Sequence, residues 1–274
     1  MTISASDVNK LRQQTGSGMM DCKKALMEAN GDFEAAIDIL RKKGQKIAAN
    51  RQDREAKEGY VYGKVTDGGK RAVAVAVCCE TDFVANNADF VKYGESILDL
   101  AIAKSPATTD DLKNLQLGNI TVAQSLLDQM GKIGEKIDVV EYQTVAADKV
   151  IVYNHPGNKL TAVVGFSGGN ISDEAGKDVA MQIAAMAPVA IDKDDVDAKM
   201  IEREIEIGKD QARQEGKPEN MIEKIALGKL NKFYNEYTLL NQVFIKDEKK
   251  TIRQYLEGID KGLKIVSFKR VKLG

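Results

Sequence analysis

Residues 68–87 have the sequence "GGKRAVAVAVCCETDFVANN", and this stretch decides the fold of the chain. A glycine-rich turn leads into an unbroken apolar run, which is typical of a buried β-strand. Together with "YVYGKV" at residues 60–65, the run predicts a β-hairpin. The second strand of this hairpin ends in two cysteines, two acids and a phenylalanine, so its end is a candidate functional site.

Cysteines, acids and a histidine are the residues that could make this strand end catalytic. The chain has three cysteines, Cys22, Cys78 and Cys79, and an odd count with an adjacent pair is no disulfide framework. Neighbouring strand residues point to opposite faces, so Cys78 and Cys79 cannot readily share one metal ion. His155 is the single histidine, so a Cys–His system would have to use it. An enzyme that uses Cys79 or Asp82 with His155 is one alternative.

Composition limits the other classes of function. The 274 residues are 43% hydrophobic and 30% charged, with a formal net charge of −1, which gives no general attraction to nucleic acids or membranes. Aromatic residues make up only 5%, which argues against a base-stacking surface. No apolar run approaches membrane-spanning length, the first residues do not resemble a secretion signal, and no phosphate-binding loop is present. We therefore expect a cytoplasmic chain with no cofactor, no metal site and no small-molecule substrate of its own.

The first 44 residues predict a module of three short helices. Cap residues precede the first and third apolar stripes, and glycines separate the helices. The residues expected to face the module's core are Val8, Leu11, Cys22, Leu26, Ala25 or Ala29, Phe33, Ala36, Ile37 and Leu40. Residues 41–58 are highly charged and mostly basic, which predicts that residues 45–58 are a solvated linker or an extension of the third helix.

The chain after the linker predicts an α+β core with two similar halves. "GGKRAVAVAVCCETD" at residues 68–82 matches "PGNKLTAVVGFSGGN" at residues 156–170, and each hairpin precedes a helix and a proline. We interpret residues 59–147 and 148–274 as two related subdomains that arose by duplication. Chance similarity between two hairpin–helix units is the competing explanation.

A charged segment at residues 195–233 predicts an antiparallel helical hairpin inserted in the second subdomain. Gly216 and Pro218 interrupt two stretches that each carry a thin apolar stripe. Such a pattern suits two helices that project from the body of the protein.

Several stretches of the sequence resemble bacterial elongation factor Ts. They occur in that family's order and spacing over essentially the whole chain: "LRQQTGSGMMDCKKALMEANGDFEAAIDILRKKG", "ETDFVANNADF", "KIGEKI", "IAAMAP" and "GKPENMIEKIALGKLNKF". Some members continue into a C-terminal helical module that contacts the partner, whereas this sequence ends at "KRVKLG". We therefore assign none of that module's partner contacts to this chain.

This resemblance implies a fold and a function. The fold would comprise an N-terminal module similar to ubiquitin-associated domains, a core of two related subdomains and a coiled-coil hairpin. The function would be guanine-nucleotide exchange on elongation factor Tu, with release of GDP. A protein-binding adaptor without exchange activity is the alternative.

The family resemblance also implies an element that distorts the nucleotide site of elongation factor Tu. We call it the wedge segment (residues 81–84): Thr81, Asp82, Phe83 and Val84. Asp82 and Phe83 are expected to push between helices of elongation factor Tu, beside its Mg²⁺ ion and phosphates. Considered without the family, Phe83 would fill the local core and Asp82 would cap the following helix.

Further partner contacts follow from the same resemblance. Arg12, Met19 and Met20 are expected to contact the nucleotide domain of elongation factor Tu. The two methionines diverge by about 100° on a helix, so at least one is expected to be exposed. Ile133 and Gly134 match a contact loop of the family, although alone they indicate only a helix end. His155 aligns with a histidine near the partner, although alone it would be a solvated turn residue.

Overall fold

The structure is a computed structural model that describes residues 3–51 and 53–274. The helices are α1 (Ala5–Thr15), α2 (Met19–Glu28), α3 (Phe33–Asn50), α4 (Asp82–Ala85), α5 (Ala88–Lys104), α6 (Thr109–Asn114), α7 (Val122–Ile133), α8 (Asp173–Met186), α9 (Ala198–Gln214), α10 (Glu219–Tyr237) and α11 (Ile252–Ile259). The strands are β1 (Glu58–Thr66), β2 (Arg71–Cys79), β3 (Gln116–Leu117), β4 (Ile120–Thr121), β5 (Asp138–Ala146), β6 (Lys149–Asn154), β7 (Leu160–Ser167), β8 (Val243–Phe244), β9 (Asp247–Thr251) and β10 (Lys264–Lys272). This mixture of helices and sheets confirms the predicted α+β class.

Local capping explains where α1 begins and ends and where α3 begins. Ser4 forms a capping box with Asp7 at the start of α1, and Gly16 ends that helix in the left-handed region at φ 66°. Asp32 caps α3 by accepting a hydrogen bond from the amide of Ala35. The predicted apolar stripes meet in one cluster of buried residues: Val8, Leu11, Cys22, Ala25, Leu26, Ala36 and Leu40.

Of the two alternatives predicted for the segment after residue 44, the structure shows the extension of the third helix. This helix continues to Asn50, so the boundary expected at residue 44 lies inside a helix, and a helix extension describes residues 45–50. Close packing explains the continuation: Gly44 is buried where α3 crosses α7, next to Leu127 and Gly131. This crossing joins the N-terminal helices to the core.

Two antiparallel sheets form the centre of the molecule. The first has the strand order β1-β2-β5, and the second has the order β10-β7-β6. Alternate residues of β2 point to opposite sides. Val73, Val75, Val77 and Cys79 pack in a cluster with residues of α5 and α7, whereas Ala72, Ala74, Ala76 and Cys78 share a cluster with residues of the second sheet. The prediction that Cys78 and Cys79 point in opposite directions is therefore confirmed.

Helix α8 covers the outer face of the second sheet. Val164 and Phe166 of β7 pack in one cluster with Val179 and Ile183 of the helix. Both β-hairpins, β1–β2 and β6–β7, are followed by a covering helix, as the sequence predicted.

Helices α9 and α10 form the predicted helical hairpin and run back along each other. Gly208 allows the close approach, because a Cβ there would lie 3.1 Å from the Cα of Ala226. Helix α10 continues to Tyr237, beyond the predicted end at residue 233. A bridge between Ala190 and Thr238 joins the two ends of the insertion to each other.

The short elements α4, α6, β3–β4 and β8–β9 were not predicted, since two to six residues carry little periodicity. Within residues 3–51 and 53–274, no helix combines the length and hydropathy that a membrane crossing requires.

Candidate functional site

The wedge segment begins where β2 ends and folds into the single-turn helix α4. Thr81 caps this helix, because its hydroxyl accepts a hydrogen bond from the amide of Val84 at 3.4 Å. Asn87 caps the next helix, α5, by accepting from the amide of Asp89 at 2.8 Å. Asp82 caps neither helix and is exposed, so the capping role considered for it is wrong.

Phe83 projects from the surface at this point. Its exposed fraction is 85%, the largest among the exposed large hydrophobic residues of the described chain. The alternative that Phe83 fills the local core is therefore wrong. Val84 and Ala85 supply the inward contacts of α4 instead, because both pack in the core cluster of the first sheet.

Two carboxylates hold the base of the wedge segment. Glu135 accepts hydrogen bonds from the amides of Glu80 and Thr81, each at 3.0 Å, and from the Thr81 hydroxyl at 2.7 Å. In return, Glu80 accepts from the amide of Lys136 at 2.7 Å and from Arg51 at 2.6 Å. The carboxylate of Glu135 thus binds residues 80–81, and the carboxylate of Glu80 binds the backbone at residue 136.

The contacts of Glu80 favour its ionised form. Its side chain is only 12% exposed. Partial burial alone would raise the pKa of Glu80, but hydrogen bonds from the Lys136 amide and the Arg51 guanidinium outweigh it and lower that pKa. The sequence prediction missed Arg51, Glu80 and Glu135 as a group, because they come from separate parts of the chain.

Ile133 and Gly134 lie beside the wedge segment, so the structure brings these predicted residues together with Phe83. Ile133 and Lys132 line one groove together with Phe83 and Val84. Gly134 ends α7 in the left-handed region at φ 83°, which turns the chain toward Glu135.

Met19 and Met20 are both on the surface, with exposed fractions of 53% and 62%. The prediction that at least one methionine is exposed is confirmed, and Cys22 and Leu26 face the core as expected. Arg12 is exposed in the last turn of α1.

The loop before the methionines lies next to the groove beside Phe83. A Cβ at Gly16 would lie 3.0 Å from Nζ of Lys132, which also lines that groove. Lys132 therefore lies between the groove that Phe83 lines and the loop that leads into α2, whose first two residues are the exposed methionines.

His155 is exposed at the β6–β7 turn and belongs to another groove. Its Nδ1 is 2.9 Å from the hydroxyl of Tyr153, and both residues line a mainly apolar groove with Met181 and Ile245. This turn is anchored near the end of β2: Lys159 pairs with Glu58 at 2.6 Å, and Glu58 is the cross-strand partner of Cys79.

Cys79 does not have the properties of a nucleophile. Burial, and secondarily the charge of Glu135, raise the pKa of its thiol to about 12. The thiol donates to the carbonyl of Thr81 at 3.2 Å. The catalytic alternative built on Cys79 and His155 therefore has no support from this geometry, which instead presents an exposed aromatic ring for contact.

Comparisons with known proteins agree on one family. The family model described as "Elongation factor TS" matches residues 80–274. Elongation factor Ts of Cytophaga hutchinsonii is 55% identical over 275 residues, which cover 99% of each chain. The proteins of the same name from Amoebophilus asiaticus and Porphyromonas gingivalis are 51% and 47% identical, and these matches cover 99% or more of each chain.

Proposed function

The chain belongs to the elongation factor Ts family of translation elongation factors, and from this membership we propose that it is a guanine-nucleotide exchange factor for elongation factor Tu. The observation that carries the proposal is the exposed ring of Phe83 on a short helix that is held at its base. The protein needs no catalytic group, cofactor or substrate of its own for this task, and it acts in the cytoplasm, where translation takes place.

An exchange factor works through reciprocal coupling of two binding events. It must bind elongation factor Tu more tightly without nucleotide than with it. The bound nucleotide and the bound exchange protein then lower each other's affinity for elongation factor Tu by the same ratio. A factor that binds both states equally shifts nothing. The chain must therefore carry a feature that fits only the distorted nucleotide site.

The wedge segment, Thr81, Asp82, Phe83 and Val84, is the proposed distorting feature. A Phe side chain is a rigid apolar body, so its burial between helices of the partner favours a state in which they are apart. Mg²⁺ requires near-ideal octahedral geometry, so small shifts of its ligands weaken its binding. Loss of the ion would leave the phosphates of GDP poorly neutralised and speed their departure.

The exposed area sets the energy available to this wedge. With 85% of Phe83 exposed, about 170 of about 200 Å² can be buried in a partner. At about 25 cal/mol per Å², this burial corresponds to at most about 4 kcal/mol. Ordering costs reduce the usable part, so we expect Phe83→Ala to slow GDP release by about 10- to 100-fold.

Arg12, Met19 and Met20 are the proposed contacts of the N-terminal module with elongation factor Tu. Exposed methionines form an adaptable apolar surface that tolerates a partner's movement. Ile133 and Gly134 would contact the partner beside the wedge segment, and we assign His155 to a separate contact at the β6–β7 turn.

The family also suggests how the parts of the chain are related. We propose that the first three helices form a module similar to ubiquitin-associated domains and that the core consists of two duplicated subdomains. The succession of a hairpin and a covering helix in each half supports the duplication. Helices α9 and α10 would then be a coiled-coil insertion in the second subdomain.

The test is release of labelled GDP from elongation factor Tu with and without this protein. We expect acceleration by the wild type and a loss of acceleration in Phe83→Ala and Asp82→Ala. Val65→Ala is a matched control, since Val65 is an exposed apolar residue beside the β1–β2 turn, away from the end of β2. Binding of elongation factor Tu without acceleration by the wild type would instead support the adaptor alternative.

A further inference from the structure

The wedge segment cannot hold its own conformation. Helix α4 has only four residues, and one helical turn is not stable in isolation. Its capping hydrogen bond, from the amide of Val84 to the Thr81 hydroxyl, is long at 3.4 Å. The orientation of Phe83 must therefore depend on groups outside the helix.

Glu135 supplies the outside contacts at the first residues of the wedge segment. Its two carboxylate oxygens accept three hydrogen bonds, two from successive backbone amides and one from the hydroxyl of Thr81, at 2.7 to 3.0 Å. Hydrogen bonds to an ionised carboxylate are shorter and stronger than neutral ones. Two successive amides bound to one oxygen fix the direction in which the chain leaves β2.

The contacts of Glu80 complete a reciprocal pair. Glu80 binds the amide of Lys136, the residue after Glu135, while Glu135 binds the amide of Glu80 itself. Arg51, at the end of α3, closes the arrangement by donating to both oxygens of Glu80. The strand end is thus fixed to the chain segment that follows Ile133 and Gly134.

We propose that Glu135 is a positioning residue for nucleotide exchange, which fixes Phe83 relative to Ile133 and Gly134 so that both meet the partner in one geometry. This inference rests on the proposed exchange function and adds a residue to it. Glu135 binds the amides of Glu80 and Thr81 and the Thr81 hydroxyl, so it acts on Phe83 through the chain that leads into α4.

Exchange kinetics of two Glu135 variants test the proposal. Glu135→Ala removes every acceptor, and we expect GDP release at saturating factor to slow by about 10-fold. Glu135→Gln keeps the size and one acceptor oxygen, so we expect partial rescue, with a loss of about 3-fold. Glu141→Ala is the matched control, because Glu141 is a half-buried carboxylate on β5 outside this network.

A double-variant comparison separates positioning from general stability. In the Phe83→Ala background, Glu135→Ala should cause no further slowing, because the group that it positions is gone. The proposal would be overturned if Glu135→Ala slowed GDP release by the same 10-fold in the wild-type and Phe83→Ala backgrounds. It would also be overturned if Glu135→Ala accelerated GDP release as well as the wild type does. If Glu135→Ala does not fold, Glu135→Gln decides by the same two criteria.

Hydrogen exchange of the free chain gives a readout that does not depend on elongation factor Tu. We expect the amides of residues 80–85 to exchange about 10-fold faster in Glu135→Ala, with the central sheet unchanged. Unchanged protection there would also contradict the positioning role. If the wild-type chain does not accelerate GDP release from elongation factor Tu, the exchange function is disproved. The hydrogen-exchange result on residues 80–85 would still show whether Glu135 fixes the strand end.

Discussion

Gly44 lies where α3 crosses α7, and its alanine variant tests how firmly the N-terminal helices are fixed to the core. A Cβ at residue 44 would lie 2.4 Å from the carbonyl oxygen of Leu127. Carbon–oxygen contacts of this kind are normally at least about 3.3 Å long. Since the obstructing atom belongs to the backbone, no side-chain rotation relieves the clash, and α3 must move away by about 0.9 Å.

Two opposing terms set the size of the effect. Alanine stabilises a helix interior by about 1 kcal/mol relative to glycine. Overpacking of a tight contact costs about 1–3 kcal/mol, and a backbone clash belongs at the upper end. We therefore expect Gly44→Ala to lower the free energy of unfolding by about 1–2 kcal/mol.

Gly228 provides the matched control within the same chain. It lies inside α10, and a Cβ there would meet no atom within 4 Å. Only the propensity term applies, so Gly228→Ala should raise the free energy of unfolding by about 0.5–1 kcal/mol. The two variants should thus differ in sign although the chemical change is identical.

Urea denaturation followed by circular dichroism measures both changes. Hydrogen exchange then locates the loss, which should be confined at first to amides of α3 and α7. If Gly44→Ala proves as stable as Gly228→Ala, the helices separate without cost, and the close crossing of α3 and α7 is not a stabilising contact.

Three further changes have expected outcomes. Replacing Met19 and Met20 with alanine should weaken binding to elongation factor Tu by about 10-fold. The melting temperature should stay within about 2 °C of the wild-type value, because both side chains are largely exposed. Unfolding of the variant would show that the two methionines are core residues. Because the pKa of Glu80 is lowered from its ordinary value of 4.5, its ionised form stabilises the fold above about that pH. The difference in unfolding free energy between wild type and Glu80→Gln should therefore be constant near neutral pH and shrink on acidification below about pH 4.5, and a difference that grows there would contradict the lowered pKa. Gln182→Ala should destabilise the fold by about 2–4 kcal/mol in denaturation experiments, because the fully buried Gln182 side chain accepts from the amide of Ile245 and donates to Gln242 and to the carbonyl of Val243. A loss below about 0.5 kcal/mol would show that water replaces the side chain.

Much of the fold could be predicted because it depends on neighbouring residues. Helix caps such as Ser4 and Asp32 act over three positions, and apolar stripes repeat every turn. The alternation of β2 placed Cys78 and Cys79 on opposite faces for the same reason. Elements of two to six residues escaped prediction, since their short length leaves no period to detect.

The candidate site was predictable only in part. Phe83 could be singled out through a family resemblance, whereas local reasoning favoured a place in the core. Its exposure follows from the adjacent packing, in which Val84 and Ala85 take the inward positions and leave the ring outside. A four-residue helix can be rotated either way by its surroundings, so the local sequence does not settle which residue faces out.

The sequence by itself determined the longer helices, the two hairpins β1–β2 and β6–β7, and the polar end of β2, because hydrogen bonding and periodicity within a segment are local properties. Only the tertiary structure decided that α3 crosses α7 at Gly44 and that Glu80 and Glu135 hold each other. These two carboxylates are 55 residues apart, and their approach depends on how β2 pairs with β5 and where α7 ends. Contacts at that separation arise from the packing of whole elements, which no short stretch of sequence specifies.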